Sequence, residues 1–133
     1  MSRIQNTDLL PFVLNKQVDV CEYLIKQGAD ITAKNNIGAT SLHTAAKYEK
    51  PKCVTCLLDH GADALARTKF KDTPLHSAAV GGASKSIACL LDHGVDVNTK
   101  GSYKRSALTH AAYYGQVNMT LNLSICVQIV LYS

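Results

Sequence analysis

The stretch TPLHSAAVGGASKSIACLLDHG, from Thr73 to Gly94, recurs in the chain at a spacing of 33 residues. Its first seven residues, TPLHSAA, align with TSLHTAA beginning at Thr40, and its closing LLDHG aligns with LLDHG beginning at Leu57. One period earlier the same closing segment aligns with LIKQG, beginning at Leu24. Self-similarity at a fixed period of this size is the signature of a repeat protein, so the chain is predicted to be an array of similar units.

Each unit carries the signals of two short helices. Thr73 is a good N-cap, because its hydroxyl can accept from an unpaired backbone N–H, and Pro74 suits the first helical position, where no N–H is required. Leu75 begins an apolar face that the following alanines continue, and Gly82 can end the helix in the left-handed conformation. A second helix then runs to Gly94. Helices this short are marginal alone in water, so each unit must bury its apolar side against its neighbours.

A period of 33 residues with a T-P-L-H-x-A core resembles the ankyrin-repeat family. The resemblance covers about residues 7–119 and implies an all-α solenoid of stacked helix–turn–helix units joined by hairpin-like loops. It also implies that the motif histidine is a structural strut between the N-cap hydroxyl and neighbouring backbone. The structural motif positions are Thr40, Leu42, His43, Thr73, Pro74, Leu75 and His76.

The whole chain, 1–133, is predicted to be a single ankyrin-repeat domain of about four units. The expected units are residues 2–34, which are degenerate, 35–67, 68–100 and 101–119, which are partial. Residues 120–133 form an atypical tail that is apolar and β-branched, where a last unit needs a polar outer face. This tail is expected to promote self-association, because it leaves apolar surface uncovered.

Two positions depart from the repeat pattern. Glu49 stands where the third unit has the helix-ending Gly82. A left-handed glutamate is strained by about 1 kcal/mol, so this turn is expected to be distorted. In the fourth unit Thr109 occupies the histidine position, and His110 is displaced from it by one residue.

Composition narrows the classes of function. A formal net charge of +4 is too small to indicate a nucleic-acid partner by itself. The first residues lack the cleavage pattern of a secretory signal, and no stretch suits a transmembrane span, so the expected location is the cytoplasm, with the nucleus as the alternative. In such a compartment the five cysteines are expected to be free thiols.

No catalytic or metal chemistry is expected. Cys53-x-x-Cys56 has the spacing of a zinc or redox site, but both cysteines fall on periodic apolar positions and no second ligand pair follows. His43 and His76 have the chemistry of catalytic bases, yet no nucleophile or carboxylate recurs beside them. The chain is therefore predicted to be non-enzymatic, with no catalytic residue, no metal site and no cofactor.

The loop tips carry the candidate binding surface. The family resemblance implies that ligands are held by the loop tips and by the exposed, concave side of the first helices. Basic residues recur there every 33 residues, and apolar or aromatic residues form a second stripe beside them. The predicted partner-binding residues are Lys34, Ile37, Arg67, Phe70, Lys71, Lys100, Tyr103, Arg105, Tyr113 and Tyr114. Protein interfaces are enriched in aromatic and arginine side chains, while the alternative for this surface is a solvated basic edge.

The resulting hypothesis is a scaffold or adaptor that holds another protein through an acidic or mixed acidic–apolar segment. Two alternatives stay open. One is a substrate-recruiting adaptor of a ubiquitin ligase, although residues 121–129 only distantly resemble the docking box of such adaptors and the box is incomplete. The other is nucleic-acid binding through the basic tips, with single-stranded RNA stacking on Phe70 and Tyr103. No membrane partner is expected.

Overall fold

The structure is a computed structural model that describes residues 22–23 and 25–115. In this part of the chain every regular element is helical, and residues 22–23 and 25–26 are helical as well. The bounded elements are α1 (Ser41–Lys47), α2 (Pro51–Asp59), α3 (Pro74–Gly81), α4 (Ser84–Asp92), a 3-10 turn at Ser102–Lys104 and α5 (Ala107–Tyr113). The first helix expected for the degenerate unit and the tail expected over 120–133 lie outside the described residues.

The first helix of each unit starts at a threonine or serine N-cap. Thr40, Thr73 and Ser106 all have extended backbone just before α1, α3 and α5. The Thr40 hydroxyl accepts from the backbone N–H of His43 at 3.4 Å, and the Ser106 hydroxyl accepts from that of Thr109 at the same distance. The motif therefore fixes where each of these helices begins.

The helices form two rows. In the inner row α1 packs on α3 and α3 packs on α5, while α2 packs on α4 in the outer row. Leu42 and Leu75 from the inner row and Leu57 and Leu90 from the outer row are the largest apolar side chains that are fully buried. The inner contacts are otherwise made by buried alanines, whose small side chains let the helices approach closely. The apolar core therefore runs along the array between successive units.

The turn at Glu49 is left-handed but not distorted, which corrects the expectation from sequence. Its φ is 54°, against 67° for Gly82 in the next unit. Both turns make the same closing bond, from Lys50 N–H to the Ala45 carbonyl and from Ala83 N–H to the Ala78 carbonyl, each at 2.9 Å. The strain is offset by a contact that the repeat pattern does not contain, described next.

The Glu49 carboxylate caps a helix of the following unit. Its Oε1 accepts from the backbone N–H of Lys85 at 3.2 Å, in the first turn of α4. That helix has Ala83 at its N-cap and no side-chain cap of its own. A carboxylate at a helix N-terminus satisfies an unpaired donor and interacts favourably with the helix dipole.

Truncating the central leucines should destabilise the array. Leu75→Ala and Leu90→Ala each remove a side chain with no exposed surface, so each should lower the free energy of unfolding by about 2–5 kcal/mol. Urea denaturation followed by circular dichroism measures this change. Lys85→Ala, at an exposed position on the same helix as Leu90, is the control and should change stability by less than about 0.5 kcal/mol.

The capping contact of Glu49 can be tested with three substitutions. Glu49→Gln keeps an acceptor oxygen and should stay near the parent, whereas Glu49→Ala loses the cap and should cost about 1 kcal/mol. Glu49→Gly also loses the cap but adopts the left-handed backbone easily, so it should be about 1 kcal/mol more stable than the alanine variant. Equal stabilities for the glutamine and alanine variants in urea denaturation would show that the carboxylate contributes nothing to α4.

Candidate functional site

The loops between units are hairpin-like turns. In residues 68–72 the Thr68 N–H donates to the Asp72 carbonyl, and in residues 101–105 the Gly101 N–H donates to the Arg105 carbonyl, at 2.9 and 2.7 Å. Residues 35–39 close in the same way. Neighbouring turns also touch, because the Lys69 N–H donates to the Ile37 carbonyl at 2.9 Å. The tips of these two loops are therefore held side by side.

The third residue of each turn is an exposed apolar or aromatic side chain. Ile37 is 50% exposed, Phe70 is 63% exposed and Tyr103 is 86% exposed. The residue after Phe70, Lys71, has a φ of 69°, and Tyr103 itself has a φ of 53°. A left-handed backbone costs a non-glycine residue roughly 1 kcal/mol or more. Lys71 and Tyr103 therefore occupy positions where a glycine would be less strained.

The basic stripe is partly engaged within the array. Lys34 Nζ donates to the carbonyl of Arg67 at 3.1 Å, and the Arg67 guanidinium donates to the carbonyl of Lys100 at 2.7 Å. Arg67 also donates to the Lys71 carbonyl at 2.8 Å. Each of these basic side chains thus reaches the equivalent position in the next unit and links the two loops. That the basic stripe also binds a partner protein stays a prediction.

Arg105 forms the centre of an aromatic cluster. Its guanidinium carbon lies 5.0 Å from the ring centroid of Tyr103 and 4.8 Å from that of Tyr113. The Tyr113 ring in turn meets the Tyr114 ring edge to face, with centroids 5.1 Å apart. Tyr113, the last residue of α5, and Tyr114, its C-cap, are each more than half exposed. The cluster, defined by Tyr103, Arg105, Tyr113 and Tyr114, presents a cation between aromatic surfaces at the end of the described array.

The motif histidines link each unit to the loop of the next. His43 Nδ1 accepts from the Thr40 N–H at 3.1 Å, so the proton is assigned to Nε2, which donates to the Asp72 carbonyl at 3.0 Å. His76 repeats this arrangement, with Nδ1 2.8 Å from the Thr73 hydroxyl and Nε2 2.9 Å from the Arg105 carbonyl. Burial lowers the pKa of both imidazoles below their ordinary value, although the carbonyl bonds act to raise it.

The histidine struts, the hairpin-like turns and the pairs of helices all recur at the 33-residue period of the T-P-L-H motif. A family model described as ankyrin repeats (3 copies) matches residues 6–68 and 42–128. The chain belongs to the ankyrin-repeat family. The all-α repeat fold expected from the sequence is thereby confirmed for this ankyrin protein. A comparison with curated proteins finds no match.

Asp72 and His110 are brought together by this ankyrin stack, which the sequence reasoning did not foresee. His110 is buried, and its Nε2 lies 3.2 Å from Asp72 Oδ1. The Ser102 N–H also donates to Asp72 Oδ1, at 2.8 Å. The only signal in the sequence is that both residues differ from their counterparts one period earlier, Ala39 and Ser77.

The cysteines of the ankyrin core that the structure describes form no disulfide bonds. Cys53 and Cys56 are buried in α2, and Cys89 is half-buried in α4. Burial raises the pKa of the Cys56 thiol, which disfavours the nucleophilic thiolate. Within residues 25–115, no helix is long and apolar enough to cross a membrane.

The buried motif histidines should make the protein less stable in mild acid. Because the pKa of His43 and that of His76 are lower in the folded state than the ordinary 6.5, the unfolded chain binds more protons below neutrality. Their contribution is complete above pH 6.5 and is lost as the pH falls from there through the lower folded-state pKa. Urea denaturation at stepped pH in a chelating buffer measures this slope.

The matched variant for that measurement is His43→Gln, which removes one buried imidazole. It should be less stable than the parent at neutral pH, because the strut to Asp72 is lost, but its stability should depend less on pH between about 7 and 5. An unchanged pH slope in the variant would contradict the assignment of acid sensitivity to His43.

Proposed function

We propose that this ankyrin-repeat chain is a scaffold or adaptor that holds a partner protein at its loop tips and the adjoining concave face. Ankyrin repeats generally act as protein–protein interaction modules and are typically non-enzymatic. We further propose that the bound segment of the partner is acidic or mixed acidic–apolar, because of the chemistry of the exposed tips. The cytoplasm or the nucleus is the proposed place of action.

The observation that carries the proposal is the aromatic cluster around Arg105. Tyr103 is both left-handed and 86% exposed, so its side chain adds strain without contributing buried surface to the fold. Backbone strain that the fold does not require concentrates where side chains serve binding. Phe70, in the equivalent place one unit earlier, is likewise exposed beside a left-handed residue.

Arg105 supplies the chemistry for an acidic group. Among the described residues its guanidinium has no carboxylate partner, and two tyrosine rings lie against it. Stacking of this kind leaves the edge N–H groups available, and their fork matches the two oxygens of a carboxylate. An apolar residue beside that carboxylate could cover part of the tyrosine rings.

The charge around the tips favours the same partner. In the loop residues 67–72 and 100–105 the basic side chains outnumber a single acid, Asp72. That carboxylate accepts hydrogen bonds from Ser102 and lies against His110. The outward charge is therefore positive, which attracts acidic segments and speeds their association.

Peptide selection tests the proposal with the intact chain. A displayed random-peptide library should be enriched in segments with Asp or Glu next to an aromatic or aliphatic residue, and the affinity of one such peptide can be measured by fluorescence anisotropy. Phe70→Ala and Tyr103→Ala should each weaken binding by more than about 1 kcal/mol, the scale of an interface hot spot. Arg105→Lys should also weaken it, because lysine keeps the charge but loses the fork.

Two control variants complete the design. Tyr23→Ala removes another exposed tyrosine, outside the loop tips, and Lys85→Ala removes an exposed charge on α4. Both should bind the peptide like the parent. Peptides without acidic residues, or variants at the tips that bind as tightly as the controls, would contradict the proposed surface.

Nucleic-acid binding is the competing function for the same tips. Exposed Phe70 and Tyr103 beside lysines are also suitable for stacking bases of single-stranded RNA. Tight binding to generic RNA with a steep linear salt dependence, and no selected acidic peptide, would favour this alternative. The ubiquitin-ligase adaptor depends on residues 121–129, which lie outside the described part of the chain.

A further inference from the structure

Two histidines and one aspartate converge where the third unit meets the fourth. One possible ligand atom from each of Asp72, His76 and His110 lies within 4.8 Å of the other two. Both histidines are buried, and their rings meet edge to face with centroids 4.9 Å apart. Asp72 is half-buried, and its Oδ1 lies 3.2 Å from His110 Nε2.

The preceding interface of the same chain provides an internal comparison. Around His43, the equivalent of His76, the positions of Asp72 and His110 are occupied by Ala39 and Ser77. The strut itself is the same at both interfaces, so neither the aspartate nor the second histidine is needed to build it. The cluster is thus an addition to the repeat at one interface.

The backbone of Gly101 packs closely against this cluster, with no side chain between them. A Cβ on Gly101 would lie 2.5 Å from Asp72 Oδ1 and 2.7 Å from His76 Nε2, closer than real Cβ contacts allow. The equivalent residue one unit earlier is Thr68. The change to glycine therefore keeps a side chain out of the position that lies next to a carboxylate oxygen and an imidazole nitrogen.

The two imidazoles can each present an unprotonated nitrogen. His110 Nε2 lies 3.2 Å from both Asp72 Oδ1 and the Ser102 hydroxyl, whereas its buried Nδ1 has no hydrogen-bond partner among the described residues, so Nδ1 is able to take the proton when Nε2 binds an ion.

His76 Nδ1 lies 2.8 Å from the Thr73 hydroxyl and accepts from the Thr73 N–H at 3.4 Å, so without a metal ion the proton is on Nε2. Metal binding at Nε2 would move the proton to Nδ1, which would donate it to the Thr73 hydroxyl. His76 Nε2 would then exchange its bond to the Arg105 carbonyl for a metal ion, with its other nitrogen held as metal-bound histidines require. Because His110 of the fourth unit binds the same ion, the metal would replace that bond as the link between the two units.

We propose that Asp72, His76 and His110 form a binding site for a divalent transition-metal ion of the zinc type, which joins the third unit to the fourth. This departs from the expectation, drawn from the sequence, that the chain has no metal site. Imidazole nitrogens with a carboxylate oxygen are ligands that zinc accepts, whereas calcium and magnesium prefer oxygen alone.

The distances fit such an ion after a small adjustment. Ligands bound at about 2.0–2.1 Å in a tetrahedron lie about 3.3–3.4 Å apart. The Asp72–His110 pair is already at 3.2 Å, and the Ser102 hydroxyl lies 3.2 Å from His110 Nε2, near enough to take the fourth position or to hold a water there. His76 is the ligand that has to approach, starting from within 4.8 Å.

Zinc titration of the full chain tests the site. Isothermal titration calorimetry under a non-chelating reductant should show one zinc ion per chain, and the melting temperature should rise with zinc concentration. His110→Ser restores the residue found at the preceding interface, and Asp72→Asn keeps the shape and an acceptor for Ser102. Each should weaken zinc binding at least about tenfold while circular dichroism shows the parent helicity.

Cysteine ligation is the competing explanation and has its own control. Cys56→Ser and His60→Ala remove the pair at the C-terminal end of α2 whose Sγ and Nδ1 lie 3.9 Å apart, and both variants should bind zinc like the parent. Cobalt substituted for zinc should show no thiolate charge-transfer absorption. The proposal is overturned if the chain binds no stoichiometric zinc, if both site variants bind as tightly as the parent, or if Cys56→Ser abolishes binding.

Discussion

The hydrogen bond from a buried imidazole to the backbone of the next unit is the interaction on which the rest of the structure depends. His43 and His76 each use one nitrogen to hold their own helix start and the other to hold a loop carbonyl one unit further along. Because an unpaired buried carbonyl or imidazole is costly, the strut fixes the spacing between units as well as the loop itself. The exposed tips are anchored by these bonds, because the carbonyls that accept them, of Asp72 and Arg105, end the loops.

Hydrogen bonds of the loop backbone account for the strain at the tips. Each turn is closed by its own backbone bond, and the Lys69–Ile37 bond joins the first two turns, so Lys71 and Tyr103 remain left-handed although their side chains gain little burial. The basic side chains of Lys34 and Arg67 add a second set of links on the same edge. A partner that binds here would meet a surface that needs little ordering, which favours affinity.

The fold could be predicted from the sequence because period, N-cap and glycine signals are local and repeat together. Two of the contacts that could not be predicted connect residues that the period does not align. Glu49 reaches Lys85, and Asp72 reaches His110, in each case a few residues beyond the 33-residue spacing. Lys34 and Arg67 were recognised as a stripe, but only coordinates show that their donors meet carbonyls of the next unit. Aligning the repeats of a sequence with one another shows which positions are equivalent. It does not show which side chains contact the next unit.

The carboxylate that caps α4 from the neighbouring unit limits how far this array is modular. A gene duplication that copied the third unit in front of itself would place Gly82 where Glu49 now stands. The outer helix that follows would then have an alanine N-cap and no side chain to accept from the N–H groups of its first turn. The second and third units are therefore a matched pair in a fixed order. Exchanging their order would preserve the repeat motif but would lose the hydrogen bond between Glu49 and Lys85, which needs a residue from each unit.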